Sequence, residues 1–557
     1  MPIRPTLKEA LLALYLLATL PAVAERAGSL GLTPALGLFF VLWAVMTTGL
    51  LLAAYAKSFA VRALWALLFA GAAGFVAAFE RVTGQFLTYD AFINMVSSTG
   101  DADNAVAQYG RSFLVPAALA LLLAAAVLLK PRRPVRYAGI GPLAVIAVLS
   151  LILYARGGEG ARGLPPSLTG LAYGDLALYE AATERYGPRQ PVRLRPGTTP
   201  AGDLVFLIDE SVAAAYLDID NPQGGVRSGL AEPRPGISVA NFGIASSVTD
   251  CSWGSNLTLR YGGTRADYRR IDATGPSLFA YARAAGFHTV YIDAQRADPA
   301  ANTLVADELA GIDKVISLGR LPVVDRDLAA AAIVSRYLGD GRRDFILVNK
   351  VGAHFPVHDK YPDSSMRYRP ALPRGRFVGV SDTGSRAGFG GSAEEWRRYR
   401  NAYRNTLAWN VGAFFDRLLG GGIGGATLVY TSDHGQNLHE AGGPGLNTHC
   451  SPDPGMAEGA VPLVLIRAAA TPGPDWTGAA AANRDRASHY ALFPTLLTLM
   501  GYDEGEVARL YGPPLDRPQT APLAFNALFN ARLGRAPVWK PIDPARLPRP
   551  PATDFRP

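Results

Sequence analysis

The sequence predicts two joined parts, a bundle of five membrane-spanning helices and an exported α/β domain with a mostly parallel central sheet. Three observations predict them. The 557 residues have a mean hydropathy of +0.12, which is too long for one ordinary domain and too apolar for a wholly water-soluble chain. Nearly charge-free stretches fill the first 156 residues. Beyond residue 202, short apolar runs rich in β-branched residues alternate with helical patterns, as in a sheet covered by helices.

The spans come first in the chain: Ala10 to Ala24, Pro34 to Ala56, Ala63 to Phe79, Phe113 to Leu129 and Tyr137 to Ala155. The first also reads as a signal peptide, because Arg4 and Lys8 precede a short apolar core and "AVA" at 22 to 24 resembles a cleavage site. Five spans obey the charge rule better. With a cytoplasmic N-terminus, Lys57, Arg62, Lys130, Arg132, Arg133 and Arg136 all fall in inside loops, and everything after Ala155 lies outside. The net charge of +8 draws on these loops, and no patch of interleaved basic and aromatic residues points to nucleic acid.

Residues 157–201 read as a connector around a helical "YGDLALYEAATERYG", either a linker helix or one lying on the membrane surface. Residues 202–531 hold the predicted strands "DLVFLID", "FHTVYID", "DFILVNK", "ATLVYTSD" and "VPLVLI". From 532 to 557 the chain is rich in Pro and Arg and reads as an extended surface segment. Only two cysteines occur, Cys251 and Cys450, and in an oxidising compartment they can be joined or stay free.

Polar residues collect at the predicted strand ends, where parallel α/β sheets carry their sites. "LIDES" ends its strand in Asp209 and Glu210, and "YTSDHGQNLHEAGGPGLNTHC" follows its strand with Asp433 and His434, then His439 and His449. Carboxylate and imidazole in these places have the donor chemistry of a divalent metal site. An isolated acidic pair more often stabilises a helix start, but here two strand ends carry such groups. "NFGIASSVTDCSWGSN" reads as a hydroxyl-rich loop opening a helix, with Thr249, Cys251, Ser252 and Ser255 as candidate nucleophiles. His354, in "GAHFPVHDKYP", is placed for acid and base work, whereas His358 reads as an ordinary loop histidine.

These motifs, in this order, together with "SHYALFPTLLTLMG", resemble the membrane-bound phosphoethanolamine transferases of the alkaline phosphatase and sulfatase superfamily; the lipoteichoic acid synthases are similar in the catalytic domain. "LTYDAFINMVSS" between the third and fourth spans resembles an exported loop of that family. The resemblance implies an alkaline phosphatase/sulfatase-type α/β domain. It implies that Glu210, Asp433, His434 and the nucleophile's oxygen hold a metal, zinc or alternatively manganese or magnesium. His354 and His449 would lie near the transferred phosphate, and the role of Asp209 is open, because the family has a small residue there. The nucleophile is Ser252, whose distance to Gly262 fits the spacing of sulfatases, or Thr249, which opens a "T-x-x-S" pattern as "TDCS". The proline and arginine that mature a sulfatase formylglycine are missing, which argues against Cys251.

The implied activity is two-step transfer of phosphoethanolamine from a phospholipid donor to a cell-envelope glycan or glycolipid, through a covalent phospho-enzyme. It implies a bacterial inner-membrane protein with a periplasmic catalytic domain. Phosphoglycerol transfer would use the same parts, and a phosphodiesterase or phosphatase would differ only in passing the group to water. A membrane-anchored binding protein without turnover is the reading from another class.

Overall fold

The computed structural model describes residues 6–97, 106, 109–183, 186–199, 202–298, 304–373, 390–443, 445–530 and 533–550. Among the described residues, five segments are long and apolar enough to cross a membrane. They are α1 (Leu7–Leu30), α2 (Pro34–Ala54), α3 (Phe59–Thr83) and, after the short α4 (Tyr89–Ser97), α5 (Leu114–Leu128) and α6 (Gly141–Ala155), the last two lengthened by tight turns at their starts. The stretch that also reads as a signal peptide is one helix through Pro21, and it buries Leu12, Tyr15 and Val23 among the other spans. Thr6 and Glu9 close its N-terminus as a capping box. Lys8 is buried because its ammonium caps the far end of α5, donating to the carbonyls of Ala126 at 2.7 Å, Val127 at 3.1 Å and Leu129 at 2.8 Å. Helix-end carbonyls have no partners within their own helix, so this cation satisfies three of them at once.

The connector is not a loose linker. Its helix, α7 (Pro166–Thr183), starts seven residues before the predicted "YGDLALYEAATERYG" and packs on α3, burying Leu168, Ala172, Tyr173 and Leu176. Small residues permit the approach: a Cβ on Gly170 would sit 3.0 Å from Ala72 Cβ. Sequence patterning missed this half of the helix because its apolar stripe is interrupted by Ser167, Thr169 and Gly170, all buried against a neighbour instead of facing water.

The second part is built on a seven-stranded sheet of order β2-β7-β6-β1-β5-β3-β4, with β1 Leu204–Asp209, β2 Ile237–Ser246, β3 His288–Asp293, β4 Lys314–Ser317, β5 Asp344–Asn349, β6 Thr427–Ser432 and β7 Ala460–Ala468. Strands β6, β1, β5, β3 and β4 run parallel, and β7 and β2 run antiparallel at one side. β1 is buried on both faces: Val205 and Leu207 enter one core, and Leu204, Phe206 and Ile208 enter the other. That is why its sequence is a continuous apolar run and not an alternating one. The five predicted strands are all present. β2 is the surprise, since "NFGIASS" reads as loop; its polar residues lie on an edge strand whose register slips between Asn241 and Ile244, beside Gly243 with φ +75°.

The tail also departs from its reading as a surface segment. β8 (Ala524–Asn526) and β9 (Trp539–Pro541) form an antiparallel pair, and Ile542 and Leu547 are buried with Phe525 and Ile244. The Pro/Arg composition hid two apolar anchors that have no periodicity of their own.

Candidate metal and nucleophile site

Register brings the acidic groups together. β1 and β6 pair with Asp209 opposite Ser432, so the next residue on each strand, Glu210 and Asp433, leaves the sheet at the same level. Among the described residues, Glu210, Asp433 and His434 form the one group of three whose ligand atoms all lie within 4.8 Å of one another, and all three are buried. His434 Nε2 is 3.3 Å from Glu210 Oε1 and 3.6 Å from Asp433 Oδ2. His434 Nδ1–H donates to the Gly435 carbonyl at 2.8 Å, which leaves Nε2 as the ligand atom.

Three such groups without a cation are electrostatically at odds. Burial and the charge of Glu210 push the Asp433 carboxyl up to about 8. Against its own burial, His434 is held up to about 10 by Asp433 and Glu210. Glu210, despite burial, stays well below the ordinary carboxylate range because His434 bonds to it and His354 is near. Asp433 Oδ2 has no hydrogen-bond partner although buried. Four donors around a zinc at tetrahedral geometry sit roughly 3.3 Å apart. The spacings here match that, so the residues fit a divalent cation, which would replace the protons these groups otherwise share.

Ser252 is the first residue of α8 (Ser252–Tyr261), and its Oγ lies 3.0 Å from Glu210 Oε1 and 3.1 Å from His434 Nε2. Its oxygen thus lies beside two of the same three groups and at a positive helix end. Thr249 is buried elsewhere: its hydroxyl donates to Asp250 Oδ1 at 3.1 Å. Ser255 Oγ bonds to the Thr249 carbonyl at 3.1 Å and stabilises the same loop. Cys251 is joined to Cys450, with Cα atoms 5.0 Å apart, so the loop that presents Ser252 is tied covalently to the loop that presents His449.

The other histidines separate cleanly. His449 stacks on His434 with centroids 4.4 Å apart, and burial followed by the His434 charge pushes it well below the ordinary histidine range. His354 donates from Nδ1 to the Phe355 carbonyl at 2.6 Å, which leaves Nε2 as its acceptor when neutral. His439, grouped with the metal residues on sequence, is not there. It stacks on Trp396 at 4.0 Å and donates from Nε2 to the Asn447 carbonyl at 2.9 Å. His358 is fully buried in the turn Val357–Asp359.

Asp209, whose role the sequence left open, supports the site from below. Its Oδ2 accepts from Lys350 Nζ at 2.6 Å and from the Tyr430 hydroxyl at 2.9 Å, all three groups being buried. Lys350 also donates to the Asn410 carbonyl at 2.7 Å, in the π-helical turn Ala408–Ala413, and Asn410 Nδ2 donates to the Gly352 carbonyl at 2.6 Å. Gly352 has φ +54°, and a Cβ there would lie 2.5 Å from the Glu210 carbonyl oxygen. The loop carrying His354 is therefore pressed onto the backbone of Glu210.

A cavity of about 450 Å³ opens in front of Ser252. Its lining combines Glu210, Ser252, His354 and His449 with Phe75, Ala78, Phe79 and Val82 of α3 and Met95 of α4. Sequence reading missed Gln295, which reaches Glu210 Oε2 at 3.4 Å and the Lys350 carbonyl at 2.8 Å. It lies two residues past the end of β3, so the strand-end rule that singled out Glu210 reaches it as well.

The sulfatase family model matches residues 235–502. No curated protein matches the chain in sequence. Among solved structures, the integral membrane lipooligosaccharide phosphoethanolamine transferase A (EptA) from Neisseria meningitidis is similar with a TM-score of 0.66 and 18% identity, over 89% of this chain and 96% of that one. The zinc complex of the periplasmic domain of EptC from Escherichia coli aligns with a TM-score of 0.49 and 18% identity, over 65% of this chain and 98% of that one. The fold shared with the first of these includes both the helical bundle and the α/β domain.

Proposed function

We propose that this chain, a multi-pass membrane protein carrying a sulfatase-family domain, is a metal-dependent phosphoethanolamine transferase that takes its group from a phospholipid. The observation that carries the reading is the mixed lining of one cavity: apolar residues of a membrane helix share it with a hydroxyl beside three residues that could hold a metal. Catalysis here needs a donor whose tails stay in the bilayer while its phosphodiester meets Ser252.

Glu210, Asp433 and His434, with Ser252 Oγ, would hold the cation, zinc or alternatively manganese or magnesium. When bound it would ease ionisation of the hydroxyl and offset charge on the non-bridging phosphate oxygens. Ser252 Oγ attacks phosphorus as its proton passes to His354 or His449, the bond from phosphorus to the diacylglycerol oxygen breaks, and that oxygen takes the same proton. In the second half an acceptor hydroxyl gives its proton to the same base and displaces the Ser252 oxygen from phosphorus, and that oxygen takes the proton back. The α8 N-terminus and the disulfide hold Ser252 in line. The acceptor is a glycan or glycolipid of the cell envelope.

A bacterial inner membrane with the catalytic domain on the periplasmic face agrees with Lys57, Arg62 and the cluster from Lys130 to Arg136 on the opposite side, and with the Cys251–Cys450 bond. Intact-protein mass spectrometry after exposure to phosphatidylethanolamine, followed by peptide mapping, tests the reading. A phosphoethanolamine adduct on Ser252 is expected. No adduct on any residue would overturn the transferase reading, and an adduct on Thr249 would overturn the choice of nucleophile.

A further inference from the structure

The segment after β8 touches α8 on one side and α4 on the other, and neither contact belongs to the chemistry. Phe529 lies under α8: a Cβ on Gly254, two residues past Ser252, would meet the Phe529 ring at 2.7 Å, and the ring packs on Tyr268 with centroids 4.6 Å apart. The Tyr268 hydroxyl donates to the Phe529 carbonyl at 2.8 Å, and Asn526 N donates to the Val248 carbonyl at 2.9 Å, inside the loop that leads to Ser252. The very next residue, Asn530, turns to the membrane part. Its backbone N–H donates to Asp90 Oδ1 at 2.7 Å, and its side-chain amide donates to Asn94 Oδ1. Asp90, Asn94 and Asn530 are all buried.

Both partners of Asn530 are on α4, and Asn94 and Met95 of that helix line the cavity. The same arrangement continues: Leu533 N donates to Glu180 Oε1 at 3.3 Å, the Tyr89 hydroxyl at the start of α4 donates to Glu180 Oε2 at 2.6 Å, and Arg535 pairs with Glu159 at 3.0 Å. Three buried polar residues at a junction of two domains would cost stability if left without partners, so their mutual bonding fixes one separation of α4 from α8.

We propose that Asn530 is a positioning residue for the lipid donor, setting the α4 wall of the cavity at a fixed distance from Ser252 through Asp90 and Asn94. The inference rests on the transferase reading above. A donor that spans the cavity from tails to phosphate needs that distance held; a soluble diester without tails does not. Phe529 differs from its neighbour, because it packs beneath the nucleophile helix and matters to either donor.

The test compares two donors with the full chain in mixed micelles, phosphatidylethanolamine and a soluble aryl phosphodiester of ethanolamine. Asn530→Ala is expected to lower kcat/KM about tenfold for the phospholipid and leave the aryl diester within about twofold, whereas Phe529→Ala lowers both. Asp90→Asn, which keeps an acceptor for the Asn530 backbone N–H, retains phospholipid turnover, and Asp90→Leu does not. If Asn530→Ala does not accumulate folded, Asn530→Ser carries the same comparison. Equal losses on both donors, or no loss on either, overturn the positioning role while the transferase reading stands. A wild-type chain that turns over neither donor overturns the transferase reading and this inference with it.

Discussion

At the scale of single residues, Ser252 and Thr249 differ by three positions and by everything that makes a nucleophile. Ser252 Oγ has a carboxylate and an imidazole at 3.0 and 3.1 Å, while the Thr249 hydroxyl is spent on Asp250. Ser252→Ala is expected to abolish adduct formation and turnover yet keep most metal affinity, because Glu210, Asp433 and His434 remain; metal titration followed by mass spectrometry checks both halves. Thr249→Ala should still form the adduct and lose about 1–2 kcal/mol of stability, the cost of one buried hydrogen bond. Residue types and strand ends singled out Glu210, Asp433, His434 and His354, and the family resemblance implied their roles and that of His449; Ser252 and Thr249 are distinguished by the helix start, where Ser252 is the first residue and Thr249 lies in the loop before it. A second residue-scale consequence concerns Glu458. Burial, then the charge of Asp250, push its carboxyl from an ordinary 4.5 to about 8, and burial likewise raises Asp250 to about 6. A raised carboxyl binds its proton more tightly in the folded state, so this contribution is complete below about pH 4.5 and is lost as pH rises toward 8, a change of a few kcal/mol. Glu458→Gln should flatten the fall of melting temperature between pH 5 and 8; an unchanged slope would show that other groups set it.

At the scale of elements, sequence was most informative where one strand obeys one rule. β1, β3, β5, β6 and β7 are buried runs bounded by polar residues, and each is visible as such. β2 is an edge strand with a register slip, so its polar and glycine residues read as loop, and the role of Asp209 stayed open because Lys350, its partner, is 141 positions away. Long-range pairing of this kind leaves no local pattern. The disulfide is another such pairing, closing a span of 199 residues between the α8 loop and the loop of His449. Replacing both cysteines, as Cys251→Ala with Cys450→Ala, should cost about 2–5 kcal/mol of stability. Because the bond ties two loops of the site, turnover should fall more than the unfolded fraction accounts for at a temperature where the variant is still folded. Full activity in that variant would mean that packing alone sets the position of Ser252.

At the scale of the whole molecule, both parts could be read from the sequence, but not how they meet. Hydropathy finds membrane spans and strand patterns find the sheet, yet α4, α7 and the segment after β8 join them through scattered contacts that have no period. The cavity forms at that junction, since residues of α3 and α4 line it together with residues of the sheet's strand-end loops. Its apolar lining can be enlarged without touching the chemistry. Ala78 of α3 lines it, and Ala78→Trp would take space that two or three acyl methylenes would otherwise fill. At about 0.8 kcal/mol for each methylene kept from burial, KM for a long-chain phosphatidylethanolamine should rise roughly ten- to fiftyfold, while kcat changes little. A short-chain phospholipid that never reaches Ala78 should be turned over as before, so the ratio of the two KM values is the measurement. An equal rise for short and long chains would mean that the tryptophan disturbs the junction as a whole. No rise for either would mean that the donor's tails leave by another route, and that α3 shapes the cavity without holding the lipid.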